Sequence, residues 1–303
     1  MKSNLLENVP KQVRVVEVAP RDGLQNEPEI VPTEDKVRFV EMLAAAGFAD
    51  IEVSSFVSPQ RVPQLADAAD VFARLPPREG VRYSALVPNA KGLERALAAG
   101  VRAIALFTAA SETFTQKNIG MTIAQSLEGF RTLLPAAREH DLWVRAYVST
   151  AFVCPYEGPI TPAQVVAVVR ELDGMGVDEI SLGDTIGHAT PDAVVRLTEA
   201  LQPILPLERT AYHFHDTRGT ALANVLVALQ LGVATFDSSA GGVGGCPFAP
   251  GAAGNLATED LIYMLDGMGI RTGIQLEKVI AASRFLESKL GRPLTSKVLQ
   301  ACQ

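Results

Sequence analysis

From Val13 onward, short apolar runs alternate with longer stretches whose apolar positions recur every three or four residues. The short runs read as strands: VRVVEV (13–18), ADIEVSS (49–55), VRYSAL (81–86), RAIALFT (102–108), WVRAYVS (143–149), DEISLG (178–183), RTAYHFH (209–215) and ATFDSS (234–239). Between them, TEDKVRFVEMLAAAG and TPAQVVAVVRELDGMG read as amphipathic helices, each opened by a Thr cap and closed by Gly. About eight strand–helix units within about 260 residues predict an α/β fold, a (β/α)8 TIM barrel rather than an open doubly wound sheet. No GxGxxG follows the first strand, which argues further against a dinucleotide-binding sheet. LEKVIAASRFLESKLG lies beyond the barrel count and predicts an additional C-terminal helix, beside a glycine-rich loop or against a second subunit. The expected organisation is one domain over 1–303, with the barrel about 13–270 and a helical extension about 271–303.

That loop is Gly241 to Asn255, GGVGGCPFAPGAAGN, too rich in Gly, Pro and Ala for a strand or helix. Cys246 sits at its centre, and the following helix is expected to be capped by Thr258. A thiol on a glycine hinge between a strand and a helix reads as part of an active-site lid.

Composition narrows the partners. The 303 residues are 48% hydrophobic, enough to bury a barrel-sized core, and a net charge of −7 provides no basic stripe for nucleic acid. Three scattered cysteines, Cys154, Cys246 and Cys302, form neither a disulfide framework nor a CxxC zinc pair, and Cys302 reads as an exposed terminal thiol. No apolar run approaches ~18 residues, and the first residues have neither a signal core nor an Arg-rich transit pattern. The expectation is a cytoplasmic protein that engages no membrane.

A barrel places its chemistry where strands end. There the sequence offers Arg21-Asp22-Gly23 and Gln25 after the first strand, Glu52 on the second, Asp184-Thr185 after the sixth and His213-Phe214-His215 on the seventh. His213 and His215, two apart, project to one side while Phe214 points to the helix layer. With Asp22 and the amide oxygen of Asn255 they predict a mixed nitrogen–oxygen site that suits Mg²⁺ or Mn²⁺ more naturally than zinc, which stays open. Glu52 is placed to hold the Arg21 guanidinium as a stabiliser of a developing oxyanion. Arg145 and Tyr147 share a face that either contacts a substrate carboxylate or thioester or fills the barrel core. Asp184 is expected to orient the network, and Thr185 and Gln25 are candidate substrate contacts.

The chain resembles the 3-hydroxy-3-methylglutaryl-CoA lyase family of DRE-type TIM-barrel metallolyases. The resemblance rests on VAPRDGLQNE, SSFVSPQRVPQ, YVSTAFVCPYEG, EISLGDTIG, HFHDTRGTALAN and GGVGGCPFAPGAAGNLATEDL, spread over nearly the whole chain. It implies a divalent cation held by Asp22, His213, His215 and Asn255, a catalytic Cys246, Arg21 near a thioester carbonyl and Glu52 in support. It further implies a retro-Claisen cleavage, with Asp22 or His213 as base, coenzyme A as the handle of an acyl-CoA substrate, and a homodimer. The same mechanism on a related 3-hydroxyacyl-CoA, citramalyl-CoA or an isoprenoid-derived glutaryl-CoA, is the nearest rival. Condensing synthases share the Arg-Asp pair and the HxH but are not expected to carry this Cys-bearing loop. A metal-storage scaffold would not need an arginine, a base and a thiol at one point.

Overall fold

The computed structural model describes residues 9–245 and 254–302. The strands are β1 (Arg14–Glu17), β2 (Asp50–Ser55), β3 (Arg82–Leu86), β4 (Ala103–Ala109), β5 (Trp143–Ser149), the hairpin pair β6 (Val153–Cys154) and β7 (Gly158–Pro159), then β8 (Glu179–Asp184), β9 (Thr210–Phe214) and β10 (Thr235–Ser238). All except the hairpin pair run parallel and close into an eight-stranded barrel, β10 pairing back onto β1 with Val16 opposite Asp237. The expected barrel is therefore observed, and each of its strands falls within a residue or two of the apolar run that predicts it.

Around it lie α1 (Thr33–Ala46), α2 (Ala68–Arg74), α3 (Ala90–Ala98), α4 (Glu112–Ile119), α5 (Ile123–Glu139), α6 (Pro162–Gly174), α7 (Pro191–Leu201), α8 (Ala221–Gln230), α9 (Thr258–Gly267), α10 (Leu276–Leu290) and α11 (Lys297–Ala301). Thr161 caps α6 in a reciprocal box with Gln164. The other two expected Thr caps are displaced by one residue. Pro32 and Ala257 hold the cap positions, because each threonine hydroxyl has a carboxylate to donate to: Thr33 to Asp67 at 2.7 Å and Thr258 to buried Glu17 at 2.8 Å. Gly47 ends α1 at φ +109, where a Cβ would lie 2.3 Å from the Gly273 carbonyl oxygen, so no other residue fits.

Outward-facing strand residues form the apolar layer under the helices. Tyr212 and Phe214 stack at 5.1 Å there, and the Tyr212 hydroxyl meets Thr198 on α7 at 2.7 Å. The opposite set of positions fills the barrel with charge rather than with branched aliphatics. Arg14, Asp50 and Glu179 lie at the N-terminal end, Arg145, Ser181 and Asp237 in the middle, and Glu52, Tyr147 and His213 toward the mouth.

α10 packs against α1 and against the turn Ala240–Gly242 that opens the glycine loop, which answers where the extra helix goes. The chain before α11 returns to that turn, Thr295 N and Ser296 N donating to the Gly241 carbonyl at 3.0 and 3.1 Å. Among the described residues, no helix is long and apolar enough to cross a membrane.

Candidate active site

After β1 the chain turns over the mouth in one π-helical turn, Ala19–Gly23, in which the Val18 carbonyl accepts from Asp22 N at 2.8 Å and Gly23 N at 3.2 Å. Pro20 at the start of this turn has no N–H to leave unpaired. Gly23 is tightly packed, since a Cβ would meet Ser239 Oγ and the Val243 carbonyl at 3.2 Å and push both aside. The buried Glu17 carboxylate ties this turn to the loop hinge by accepting from Ala19 N and from Ala240 N, both at 2.9 Å. The turn thus presents Arg21 and Asp22 over the barrel axis on a fixed base.

Opposite, β9 carries His213, and His215 follows it in a bridge to Asn255. Both imidazoles face the axis, with Nε2 of one 3.2 Å from Nε2 of the other. One ligand atom from each of Asp22, His213 and His215 lies within 4.8 Å of the others. Asn255 donates Nδ2 to Asp22 Oδ2 at 2.9 Å, while its Oδ1 and His215 Nδ1 are buried without partners among the described residues. Two imidazole nitrogens at van der Waals distance, a carboxylate and an orphaned amide oxygen are electron pairs lacking a common acid, and a divalent cation fits that donor set. His213 Nδ1 is held by Asp237 Oδ2 at 3.1 Å, the carboxylate–imidazole arrangement that aims the other ring nitrogen at a metal.

The electrostatics agree. Burial alone would raise Asp22, but Arg21 and the two imidazoles outweigh it and hold the carboxyl well below the ordinary range. Burial and the adjacent His213 push His215 down to about 4, so it is a neutral donor at physiological pH. For His213 burial pulls downward, and the hydrogen bond to Asp237 with the charge of Asp22 reverses it into a net rise.

Arg21 is buried and clasped from two sides, by Asp22 and by Glu52, whose Oε2 lies 2.8 Å from Nε and 2.7 Å from Nη2. The Tyr147 hydroxyl donates to the same Glu52 oxygen at 3.1 Å and accepts from Arg145 at 3.0 Å. A guanidinium so restrained is a preorganised donor for an oxyanion forming over the mouth.

The structure brings together Arg21, Asp22, Glu52, His213, His215, Asn255 and Tyr147. Of the two readings open for Arg145, its contacts favour the barrel interior: only 3% exposed, it faces Glu179, Asp237 and Tyr147 beneath the site. The Asp184 carboxylate accepts from His188 N at 2.8 Å and Ala189 N at 2.9 Å, and so orders the loop after β8. Thr185 accepts from Thr150 N at 2.7 Å, and half-buried Gln25 follows the π turn. Cys246 lies outside the described residues. Asp237 and Glu17 are absent from the sequence-based site. Their one signal is a carboxylate inside a short strand whose neighbours are buried, as in TFDS and RVVE.

Comparison with known proteins agrees with this geometry. The hydroxymethylglutaryl-CoA lyase of Arabidopsis thaliana, described as mitochondrial, is 50% identical over 99% of the chain, which spans 64% of that relative's length. The solved hydroxymethylglutaryl-CoA lyase of Pseudomonas aeruginosa superposes with a TM-score of 0.95 at 51% identity, covering 97% of this chain and 98% of that one. An HMG-CoA lyase of Acinetobacter baumannii, solved with coenzyme A and 3-methylmalate, superposes at 0.93 with 39% identity, covering 100% and 97%. The sequence pattern of the HMGL-like family matches residues 12–286, and with the barrel and its His-Asp cluster in place the chain belongs to the HMGL-like family.

Proposed function

We propose that the protein is a divalent-metal-dependent carbon–carbon lyase that cleaves 3-hydroxy-3-methylglutaryl-CoA to acetyl-CoA and acetoacetate. The observation that carries the reading is the convergence of Asp22, His213 and His215 within one ligand distance beside a doubly clasped Arg21, in a chain about half identical to hydroxymethylglutaryl-CoA lyases. Asp22, His213, His215 and the Asn255 amide oxygen would hold the cation, and their mixed donors favour Mg²⁺ or Mn²⁺ over zinc. When bound, the cation supplies Lewis-acid polarisation of substrate oxygen atoms.

The residues divide the remaining work. The proton of the C3 hydroxyl leaves to a basic atom facing the axis. Asp22 and His213 are the candidates; His213 Nε2 cannot take the proton while its lone pair holds the cation, which leaves a carboxylate oxygen of Asp22, tempered as a base by Arg21 and Asn255. As the C3 carbonyl forms, the C2–C3 bond breaks and its electron pair passes to the thioester oxygen. Arg21 accepts the enolate charge, its orientation held by Glu52. A thiol proton from Cys246 then reaches C2 and completes acetyl-CoA, and the base returns its proton to the thiolate for the next cycle. Coenzyme A is the handle of the substrate. The protein acts as a homodimer in this reading, which rests on family resemblance.

The test is incubation of metal-loaded protein with a panel of 3-hydroxyacyl-CoA thioesters, with both fragments identified by mass spectrometry. Acetyl-CoA and acetoacetate from 3-hydroxy-3-methylglutaryl-CoA are expected. Turnover confined to another thioester would reassign the acyl group.

A further inference from the structure

Beneath the site, one buried arginine contacts both of its halves. Arg145 reaches up from the middle of β5, 3% exposed, with its three nitrogens facing three different partners. Nε pairs with Glu179 at 2.8 Å, Nη1 donates to the Tyr147 hydroxyl at 3.0 Å, and Nη2 donates to Asp237 Oδ1 at 2.6 Å. Tyr147 passes the restraint to Glu52, and Glu52 to Arg21. Asp237 passes it to His213 through its other oxygen, which also accepts from Ser181 at 3.0 Å.

We propose that Arg145 is the positioning residue shared by the two arms of the site: Nη1 sets Tyr147, Glu52 and Arg21 on the oxyanion arm, and Nη2 sets Asp237 and His213 on the metal arm. The oxyanion half rests on the lyase reading; the metal half does not. Planar geometry is what the role requires, because the two nitrogens of a guanidinium leave its carbon at a fixed angle and hold both partners in one frame. An ammonium concentrates the same charge and its donors on one nitrogen at the end of a flexible stem, and so fixes no angle between the two partners. Arg145 is therefore separable from a residue that only neutralises Glu179 and Asp237, a role that lysine would fill.

Arg145→Lys decides between these. Titration of the purified variant with Mn²⁺ alone, followed by electron paramagnetic resonance of the free ion, is expected to show affinity reduced about tenfold or more, the usual cost of releasing the partner of a ligating histidine. Its kcat at saturating Mn²⁺ is expected to fall at least tenfold with KM within about threefold. Parental values for both would overturn the proposal and leave Arg145 a charge neutraliser.

Variants on the separate arms keep the test decisive if Arg145→Lys does not fold. Tyr147→Phe should lower kcat with unchanged Mn²⁺ affinity, and Asp237→Asn should lower Mn²⁺ affinity about tenfold. Combining Tyr147→Phe with Arg145→Lys should lower kcat no further than the worse single change, since both cut one chain of contacts. Tyr147→Phe that weakens Mn²⁺ as much as Asp237→Asn does, or Asp237→Asn that leaves Mn²⁺ affinity intact, would refute the two-arm division. The parent measured alongside separates the two ideas: a parent that cleaves no acyl-CoA defeats the lyase reading, while the Mn²⁺ titrations still decide the metal arm.

Discussion

Asn255 spends its amide on Asp22, Nδ2 to Oδ2 at 2.9 Å, and leaves Oδ1 buried and unpaired among the described residues. One side chain thereby orients the carboxylate and adds an oxygen beside it. Asn255→Ala removes both, and His215→Ala removes one of the two nitrogens. Each is expected to weaken Mn²⁺ or Mg²⁺ binding at least tenfold by calorimetric titration. An unchanged isotherm in His215→Ala would move the metal elsewhere.

Gly244 makes a steric prediction about the same amide. It sits at φ +120, and a Cβ there would lie 2.6 Å from Asn255 Nδ2. Gly244→Ala should therefore displace Asn255 and weaken the cation, with a loss in affinity comparable to that of Asn255→Ala. Substitution at Gly245, where an added Cβ meets nothing within 4 Å among the described residues, should be milder. Equal metal affinities in the parent and Gly244→Ala would show that the loop accommodates the extra atom.

For Arg21 the charge it meets exists only as the carbon–carbon bond breaks. Arg21→Met is expected to reduce kcat by about 10² or more while KM stays near the parental value, the signature of an interaction made in the transition state. A rise in KM with kcat preserved would instead make Arg21 a ground-state contact.

Cys246 is assigned to proton delivery, where a serine hydroxyl is several pKa units too weak to replace a thiol near 8.5. Cys246→Ser should bind Mn²⁺ as the parent does and lose about two to four orders of magnitude in kcat. Turnover at the parental rate would remove the thiol from the mechanism.

The fold also carries a pH signature away from the metal ligands. Burial pushes the Glu17 carboxyl up to about 8, against 4.5 for the ordinary group, despite the hydrogen bonds it accepts. Between those values the folded chain holds a proton that the unfolded chain releases. The associated stability is fully present below about pH 4.5 and is lost as pH rises through about 8. Glu17→Gln keeps an acceptor for Ala19 N and Ala240 N but cannot titrate. The parental melting temperature should accordingly fall more steeply from pH 6 to 9 than that of the variant, followed by circular dichroism. Parallel slopes would mean that Glu17 carries no such proton.

The barrel was legible because its strands are continuous apolar runs, and the metal claw because HFH places two imidazoles on one face of a strand, a spacing that survives without any tertiary knowledge. Arg145 was ambiguous for the same reason that it is informative now. Alternation on WVRAYVS shows that Arg145 and Tyr147 point inward, but not whether they stop beneath the substrate or reach it, which depends on Asp237, 92 residues away. Thr258 looked like a cap because its local context is that of a cap; Glu17, 241 residues away, takes its hydroxyl. The hairpin of β6 and β7 escaped notice because two-residue strands have no period to read.

The proposed ligands straddle the seam where the first strand meets the last. Asp22 follows β1, the histidines belong to β9 and its end, and Asn255 lies 233 residues from the carboxylate it orients. Nothing along the chain can assemble that set early, because contacts of such separation form only as the ring shuts, the slowest class of event for a chain of this topology. A cation with high affinity for the closed ring and little for the open one shifts the equilibrium toward closure by mass action. The metal would then serve as a latch on barrel closure as well as a reagent.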